Sequence, residues 1–503
     1  MKLLNASRLR EWDHQTLATQ HLSLDALVER VGSRCASWLA DTYPDPVPFL
    51  FICGVGLNGA DGLHTALALQ RLGRSVKVLL LRYKDSFHPV TVRASLACNN
   101  TLDGMVDILE PGCSIADLPP HIVIVDALTG TGLNMPLDGW LRGFAQKINA
   151  LPNRVVSLDL PSGLPPDCLP GPEDTIIQAT TTLSFQTWKR SLLHPESGRY
   201  AGNVRIIDIG LDGDFHDATS SKYFTLDLAE ARAHYRPRAP FSHKGTHGTA
   251  FLIGGSKGLI GALTLAVRAA GRAGAGKVRG LVPECGYNIL QMIAPEAMCK
   301  TSGQDFIEAI EGWESAKGIG IGPGMGDEQA TVDAFGGFLK ACKQPLVLDA
   351  DTLNILGKHP DWLSNVPPRS IMTPHPKEFE RMFGASGTTF EAVEKARAMA
   401  MQHNVFIALK DKHTAICTPE GACWYNTSGN AGLATGGSGD VLCGIITGLL
   451  AQNYDPEAAV LLGVWLHARA GDFAMEQFGQ EALIAGDILA SIGMAFKELQ
   501  APA

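Results

Sequence analysis

No Cys-x-x-Cys pair occurs in this sequence, and its eleven cysteines are scattered and odd in number, so neither a disulfide framework nor a thiolate zinc site is suggested. No stretch approaches the roughly 20 apolar residues of a membrane span, and the opening MKLLNASRLREWDHQ lacks an apolar core long enough for a signal peptide. These absences point to a cytoplasmic protein that does not engage a membrane. Basic charge is in deficit: 42 Lys and Arg against 51 Asp and Glu give a net charge of −9, a field that repels nucleic acid and anionic surfaces. A small-molecule substrate is expected in place of a polymer. An anionic substrate would need a local positive field, which helix N-termini in glycine-rich loops supply.

What is present is a globular composition, 45% hydrophobic and 18% charged. At 503 residues the chain exceeds what one core supports, because cores stop growing at roughly 250 to 300 residues. Two domains are expected, over 1–215 and 225–503, parted by a polar, acidic stretch at 208–230 that reads as a linker. Leu24, Leu27, Val28, Val31, Cys35, Trp38 and Leu39 recur at helical spacing behind a capping Ser23. After them, β-rich runs at 48–53, 75–81, 121–125 and 154–158 alternate with helical stretches. A second alternating series runs through 249–253, 278–283, 318–322, 345–349, 370–373 and 405–410. Strands alternating with helices predict an α/β fold, with a parallel, doubly wound sheet in each domain.

In the front half, FLFICGVGLNGADGLH sets a glycine turn between a strand and a helix. Gly54-x-Gly56-x-x-Gly59 matches the dinucleotide fingerprint, which admits an ordinary NAD(P)-dependent oxidoreductase; a tight turn needing glycines for close packing explains it equally well. The acidic residue expected after the second strand is missing, for the chain there reads Arg82-Tyr83-Lys84-Asp85. Two more strand ends carry acids, Asp126 in HIVIVDALTGTG and Asp159 in RVVSLDLPSG. Ligand crevices in doubly wound sheets lie at the carboxyl ends of the strands, so Asn58, Asp61, Asp126 and Asp159 would converge there.

This set, GLNGADG followed by DALTGTG and LDLPSG, resembles the epimerase domain of the NAD(P)H-hydrate repair proteins. The resemblance implies a potassium ion held by Asn58, Asp126 and Ser162, whose hard oxygen donors suit an alkali cation. It also implies that the hydrated nicotinamide and its phosphates are contacted by Leu57, Asn58, Gly59, Ala60 and Asp61, by the turn of Gly130, Thr131, Gly132, Leu133, Asn134, Met135 and Pro136, and by Asp159 in a catalytic role. Two positions depart from the family: Leu57 stands where Asn is usual and Ala60 where Gly is usual. A binding or assembly module without turnover is therefore the alternative for this half.

In the back half, NTSGNAGLATGGSGDVLCGIITGLLA leads a glycine loop into Asp440 and an apolar helix. Free N–H groups at that helix start would stabilise a transferring phosphoryl group, and Asp440 alone would read as a helix cap. Along with HKGTHGTAFLIGGSKGLIGA, GIGPGMG, LDADTLN, TPHPKEFE and LKDKHT, the run resembles the ADP- or ATP-dependent NAD(P)H-hydrate dehydratases of the ribokinase-like fold. The resemblance implies nucleotide binding by Lys410, Asp411, Lys412, His413, Thr414 and Gly439, and hydrate binding by Ala262, Gly324, His375 and Asp440. Asp349, Asn354 and Glu378 are second-rank candidates near Mg²⁺. The implied reaction phosphorylates the C6 hydroxyl of the hydrated ring, with Asp440 as base, and then expels phosphate. ADP is the implied donor, with ATP the alternative, and a homo-oligomer is expected. A vitamin or sugar kinase on the same fold is the rival reading.

Overall fold

The computed structural model describes residues 1–101, 104–115, 117–132 and 136–501. It divides into two compact units, Lys2–Ser221 and Lys222–Ala503, the latter joined by Met1.

The front unit is built on a parallel seven-stranded sheet of β1 (Phe49–Cys53), β2 (Val76–Leu81), β3 (Val106–Leu109), β4 (Val123–Ala127), β5 (Val155–Leu158), β6 (Thr181–Phe185) and β7 (Asn203–Ile207). Its order is β3-β2-β1-β4-β5-β6-β7. The chain winds outward from β1 in one direction and from β4 in the other, so the crevice at their carboxyl ends is the topological switch point. The central strands β1, β4 and β5 are buried along their whole length, as helices on both faces require. The helix Leu24–Thr42 forms as its apolar spacing predicts: Ser23 Oγ accepts the Ala26 N–H at 3.2 Å, and Leu27, Val28, Val31, Cys35 and Leu39 face the core. An earlier helix, Ala6–Thr19, is capped by Asn5 and buries Leu9, Trp12 and Thr16.

The back unit carries β8 (Tyr223–Leu226), β9 (Thr249–Ile253), β10 (Lys277–Val282), β11 (Met298–Thr301), β12 (Gly318–Ile321), β13 (Leu346–Leu348), β14 (Ile371–Met372), β15 (Phe406–Leu409), β16 (Ala415–Cys417) and β17 (Cys423–Asn426). The sheet order is β11-β10-β9-β12-β13-β14-β15-β16-β17-β8. The strands from β11 to β15 are parallel, β15-β16-β17 are antiparallel, and β8 returns parallel to β17. Its switch point lies between β9 and β12.

The two sheets thus confirm the expected pair of doubly wound α/β folds. The polar stretch at 208–230 is structured: it holds the helix Gly213–Ala218, strand β8 and the start of the helix Leu228–His234. Asp212 and Asp227 are there as helix caps, which is why the segment is acidic.

Much of the back core lies between the helices Ser438–Ala451 and Pro456–Phe478 and the sheet. Glycines let the helix Ser438–Ala451 approach the helix Ile260–Arg272 closely; a Cβ on Gly444 would lie 2.1 Å from the Ala266 carbonyl oxygen. This contact fixes where the glycine loop and Asp440 sit over the strand ends.

Candidate functional site

At the front switch point lies a cavity of about 770 Å³, bordered by Gly56, Leu57, Asn58, Asp61, Gly130, Thr131, Gly132, Pro136 and Asp159 among others. Gly54 and Gly59 serve packing: a Cβ on either would lie 1.9 Å from a carbonyl oxygen, Leu128 O and Gly54 O respectively. Gly56, by contrast, faces open space, so of the three fingerprint glycines only this one presents a free edge to a ligand. Ala60 is fully buried against Val28 and Val90, while Leu57 is exposed at the cavity wall. Leu133, Asn134 and Met135 lie outside the described residues.

Beneath the cavity the strand ends interlock. The Asp126 carboxylate accepts from Ser157 Oγ (2.7 Å), Ser162 N–H (2.9 Å), Ser162 Oγ (2.6 Å) and the Leu128 N–H (3.3 Å). Burial pushes its carboxyl above the usual range, and these donors pull against that rise. Asn58 Nδ2 donates to the carbonyls of Thr129 (2.9 Å) and Leu158 (3.2 Å), while its buried Oδ1 has no hydrogen-bond partner. Asn58 and Ser162 meet at the Thr129 carbonyl, to which Ser162 Oγ also lies within 3.2 Å. The structure therefore brings Asn58, Asp126 and Ser162 into one network.

Asp159 sits above this network with φ +66°, a left-handed conformation that a non-glycine residue adopts at a cost of roughly 1 kcal/mol or more. That conformation turns its carboxylate into the cavity. There Oδ2 accepts the Thr131 N–H at 2.9 Å, and Oδ1 pairs at 2.6 Å with Lys189, whose side chain is 2% exposed. A Cβ on Gly130 would lie 2.8 Å from Asp159 Oδ2, so a larger residue there would displace that carboxylate.

In the back unit the named residues again occupy carboxyl ends of strands. Lys410, directly after β15, places Nζ 3.1 Å from Asp349 Oδ1 and 3.9 Å from Glu378 Oε2. Burial pulls its ammonium down, but these two acids overbalance burial and leave it above the ordinary value. It is an interior cation, not a solvated strand-end lysine. A Cβ on Gly439 would stand 3.3 Å from that Nζ and 3.6 Å from Asp349 Oδ2, so the helix start, the lysine and the acid converge.

Asp440 follows, at the third residue of the helix Ser438–Ala451. The N-cap is Gly437, and no side-chain cap bond is made, so Asp440 is not the cap. Burial, then Asp349, Asp351 and Glu378, push its carboxyl up to about 7 against the pull of Lys410. Gly324, at φ +60°, packs against Ala262, whose Cβ would lie 3.0 Å from a Cβ on Gly324. His375 caps the helix Pro376–Phe383: its Nδ1 accepts the N–H groups of Lys377 and Glu378, and Glu378 Oε2 accepts the His375 N–H at 2.8 Å. Burial and Lys410 hold its imidazole below the usual range.

Two named residues turn away from this convergence. His413 is buried with Nδ1 3.0 Å from the Asn426 carbonyl, and burial drops it to about 4. Asn354 accepts from Arg381 at 2.7 Å. The remaining nucleotide candidates, Asp411, Lys412 and Thr414, form the turn between β15 and β16, with Asp411 and Lys412 exposed. Among the described residues, no three His, Cys, Asp or Glu side chains form a ready metal cage.

Residues 250–492 match the family model for NAD(P)H-hydrate dehydratase, and 24–191 the model for the YjeF-related protein N-terminus. The chain is 33% identical to the bifunctional NAD(P)H-hydrate repair enzyme Nnr of Moorella thermoacetica, over 99% of this chain and 97% of that one. It is 32% identical to the Escherichia coli enzyme of the same name, over 97% and 92%. The chain belongs to the bifunctional NAD(P)H-hydrate repair enzymes. A solved Bacillus subtilis ADP/ATP-dependent NAD(P)H-hydrate dehydratase, co-crystallised with ATP and Mg²⁺, is 30% identical, with a TM-score of 0.47 covering 55% of this chain and 98% of that one.

Within this repair-enzyme frame, the motifs missed several residues. Asp351 adds to the charge around Asp440. His467 Nε2 lies 3.0 Å from Ser438 Oγ at the glycine loop. Asp13 and Lys189 border the front cavity. The helical spacing of Leu9, Trp12 and Thr16 was the signal that could have placed Asp13. No signal singles out Lys189, which follows a strand too polar to read as one. No helix among the described residues is long and apolar enough to cross a membrane.

Proposed function

We propose that this chain repairs nicotinamide cofactors hydrated at C6 of the ring: the front unit interconverts the R- and S-hydrates, and the back unit dehydrates the S-hydrate at the expense of ADP. The observation that carries the dehydratase reading is the meeting of Asp440, Gly439, Lys410 and Asp349 at the ends of the central strands, with Asp440 held near neutral. Hydroxide is a poor leaving group, whereas phosphate is a good one. Asp440, ionised at neutral pH and above, takes the proton of the C6 hydroxyl as its oxygen attacks the terminal phosphorus. The N–H groups at the start of the helix Ser438–Ala451, with Lys410, stabilise the charge on the transferring group. The ring nitrogen lone pair then forms a C–N double bond as the C–O bond breaks and phosphate departs. Loss of a proton from C5 restores the dihydropyridine.

Ala262, Gly324 and His375 border the hydrate, and the turn 410–414 receives the nucleotide chiefly through its backbone and Lys410, since the His413 ring faces inward. The surplus of acids, Asp349, Asp351, Glu378 and Asp440 around one lysine, fits a divalent cation carried in with the nucleotide. Asp349 and Glu378 would hold Mg²⁺, which supplies neutralisation of phosphate charge. In the front unit the unpartnered Asn58 Oδ1 beside the Asp126 and Ser162 oxygens fits a potassium ion, which would tie down the loop and the turn that contact the substrate. A homo-oligomer acting in the cytoplasm completes the reading.

The test supplies purified S-hydrate and ADP to the full chain and follows the return of the reduced nicotinamide absorbance. Recovery that requires nucleotide supports the dehydratase. A stable phosphorylated product without recovery supports a kinase instead.

A further inference from the structure

Four carboxylates border the front cavity; Asp138 is exposed, and the other three, Asp13, Asp61 and Asp159, are not equivalent. Asp159 is partnered by the Thr131 N–H and by Lys189, whose ammonium is further held by Ser184 Oγ at 3.0 Å and the Phe185 carbonyl at 2.9 Å. Asp13 and Asp61 border the same cavity, yet neither carboxyl makes a hydrogen bond or ion pair among the described residues. Asp61 is enclosed, with 8% of its surface exposed. Asp13 is half-buried, on the helix Ala6–Thr19 between the buried Trp12 and the exposed His14. That helix is pinned by Trp12, whose indole donates to the Asp212 carbonyl at 2.6 Å, and Asp13 faces the cavity beside Leu9 and Arg10.

We propose that Asp13 is a catalytic residue of the epimerase, the general acid that works across the ring from Asp159 as base. The proposal rests on reading the front unit as an epimerase. Inverting C6 requires its oxygen to leave one face and return on the other, so one group must give a proton and another must take one. In the first step the ring nitrogen lone pair forms a C–N double bond while the C6–O bond breaks. The bonding pair leaves with oxygen, which takes the Asp13 proton and becomes water. In the second step a water adds to C6 from the opposite face, the double-bond pair returns to nitrogen, and the Asp159 carboxylate takes the water's proton. Composition is unchanged and no oxidant or reductant is used. Asp159 then gives the proton it took to solvent water in the open cavity, and Asp13 regains one through its solvent-facing side, which the enclosed Asp61 lacks, so both carboxyl groups return to their starting states.

Two carboxyl groups in different environments at one site is the arrangement by which acid and base roles are divided. Burial, and then the nearby Asp159, push Asp13 up to about 6, with Lys189 and His14 opposing. Asp61 is pushed well above its ordinary value by burial, Asp159 and Asp13. The other charged or titratable groups bordering the cavity are Arg10, Tyr83, Lys84 and Asp138.

The test uses the full chain, R-hydrate as substrate, and dehydration of S-hydrate as the internal control. Asp13→Asn leaves no donor unmatched and removes a carboxyl whose ionisation burial opposes, so the front unit should melt no lower than wild type. Its epimerisation rate should fall roughly 10²- to 10⁴-fold, the usual contribution of a proton-transfer group, while dehydration of the S-hydrate stays at the wild-type rate. Asp13→Glu should recover part of the loss. The wild-type rate should decline as pH rises past about 6, where the acid loses its proton, and Asp13→Asn should lack that decline. Epimerisation by Asp13→Asn near the wild-type rate, or a defect in KM alone with the decline intact, would overturn the proposal. A wild-type chain that dehydrates S-hydrate but leaves R-hydrate untouched would overturn the epimerase reading itself.

Discussion

Replacing Asp440 by Asn removes a charge and almost nothing else, and the structure gives opposite signs for its effects on folding and on catalysis. Because Gly437 is the cap and Asp440 makes no cap bond, no cap is lost. What is lost is a favourable charge in the first helical turn, worth about 0.3–1 kcal/mol. Against this stands the cost of ionising the group. Its carboxyl titrates at about 7 in the folded chain against 3.8 ordinarily. A raised folded value means a contribution to stability that is full below about pH 4 and lost as pH rises through 7. At roughly 1.4 kcal/mol per unit the upper bound is about 4 kcal/mol, of which water at its exposed edge screens a part. Asp440→Asn should therefore melt no lower than wild type at pH 8, and higher there relative to wild type than at pH 5. Turnover of the S-hydrate should fall roughly 10²- to 10⁴-fold, and the wild-type loss of kcat/KM below about pH 7 should disappear with it. Paired melting curves and nucleotide-dependent recovery of reduced cofactor measure both. Near-normal turnover with the acid limb intact would refute the assignment of Asp440 as base.

Asp126→Asn should weaken epimerisation and abolish its response to added potassium while S-hydrate dehydration is unchanged; a retained potassium response would remove Asp126 from the cation site. Gly444→Val should destabilise the back unit by about 1–3 kcal/mol in urea titration, since even its Cβ would stand 2.1 Å from a helix carbonyl oxygen, and wild-type stability would show that the helix pair yields. Residues 222–503 expressed alone should fold and dehydrate S-hydrate with ADP, because the back sheet is complete within that unit; an inactive, unfolded fragment would contradict this.

The central strands were legible because buried parallel strands must be apolar runs, as in FLFIC, VIVDA and TAFLI. The strands that escaped notice are polar, short or at an edge: β6 reads TTLSF, β11 reads MCKT, and β16 has three residues. Local pattern is weak where tertiary pairing decides. At the sites, strand-end motifs pointed to Asn58, Asp126 and Ser162, and to Gly439 and Lys410, which the fold sets side by side. They could not show which way a side chain turns, which is why the inward ring of His413 and the pairing of Asn354 with Arg381 were hidden. Groups supplied from outside the motifs, Asp13 from an unread helix and Lys189 from behind a polar strand, become visible only once the chain is folded.

The most direct test of the account is a full balance of products when wild-type chain receives S-hydrate and ADP. One reduced nicotinamide cofactor, one AMP and one inorganic phosphate should appear for each hydrate consumed. Accumulation of a phosphorylated hydrate, or cofactor recovered with ADP left intact, would contradict the proposed reaction.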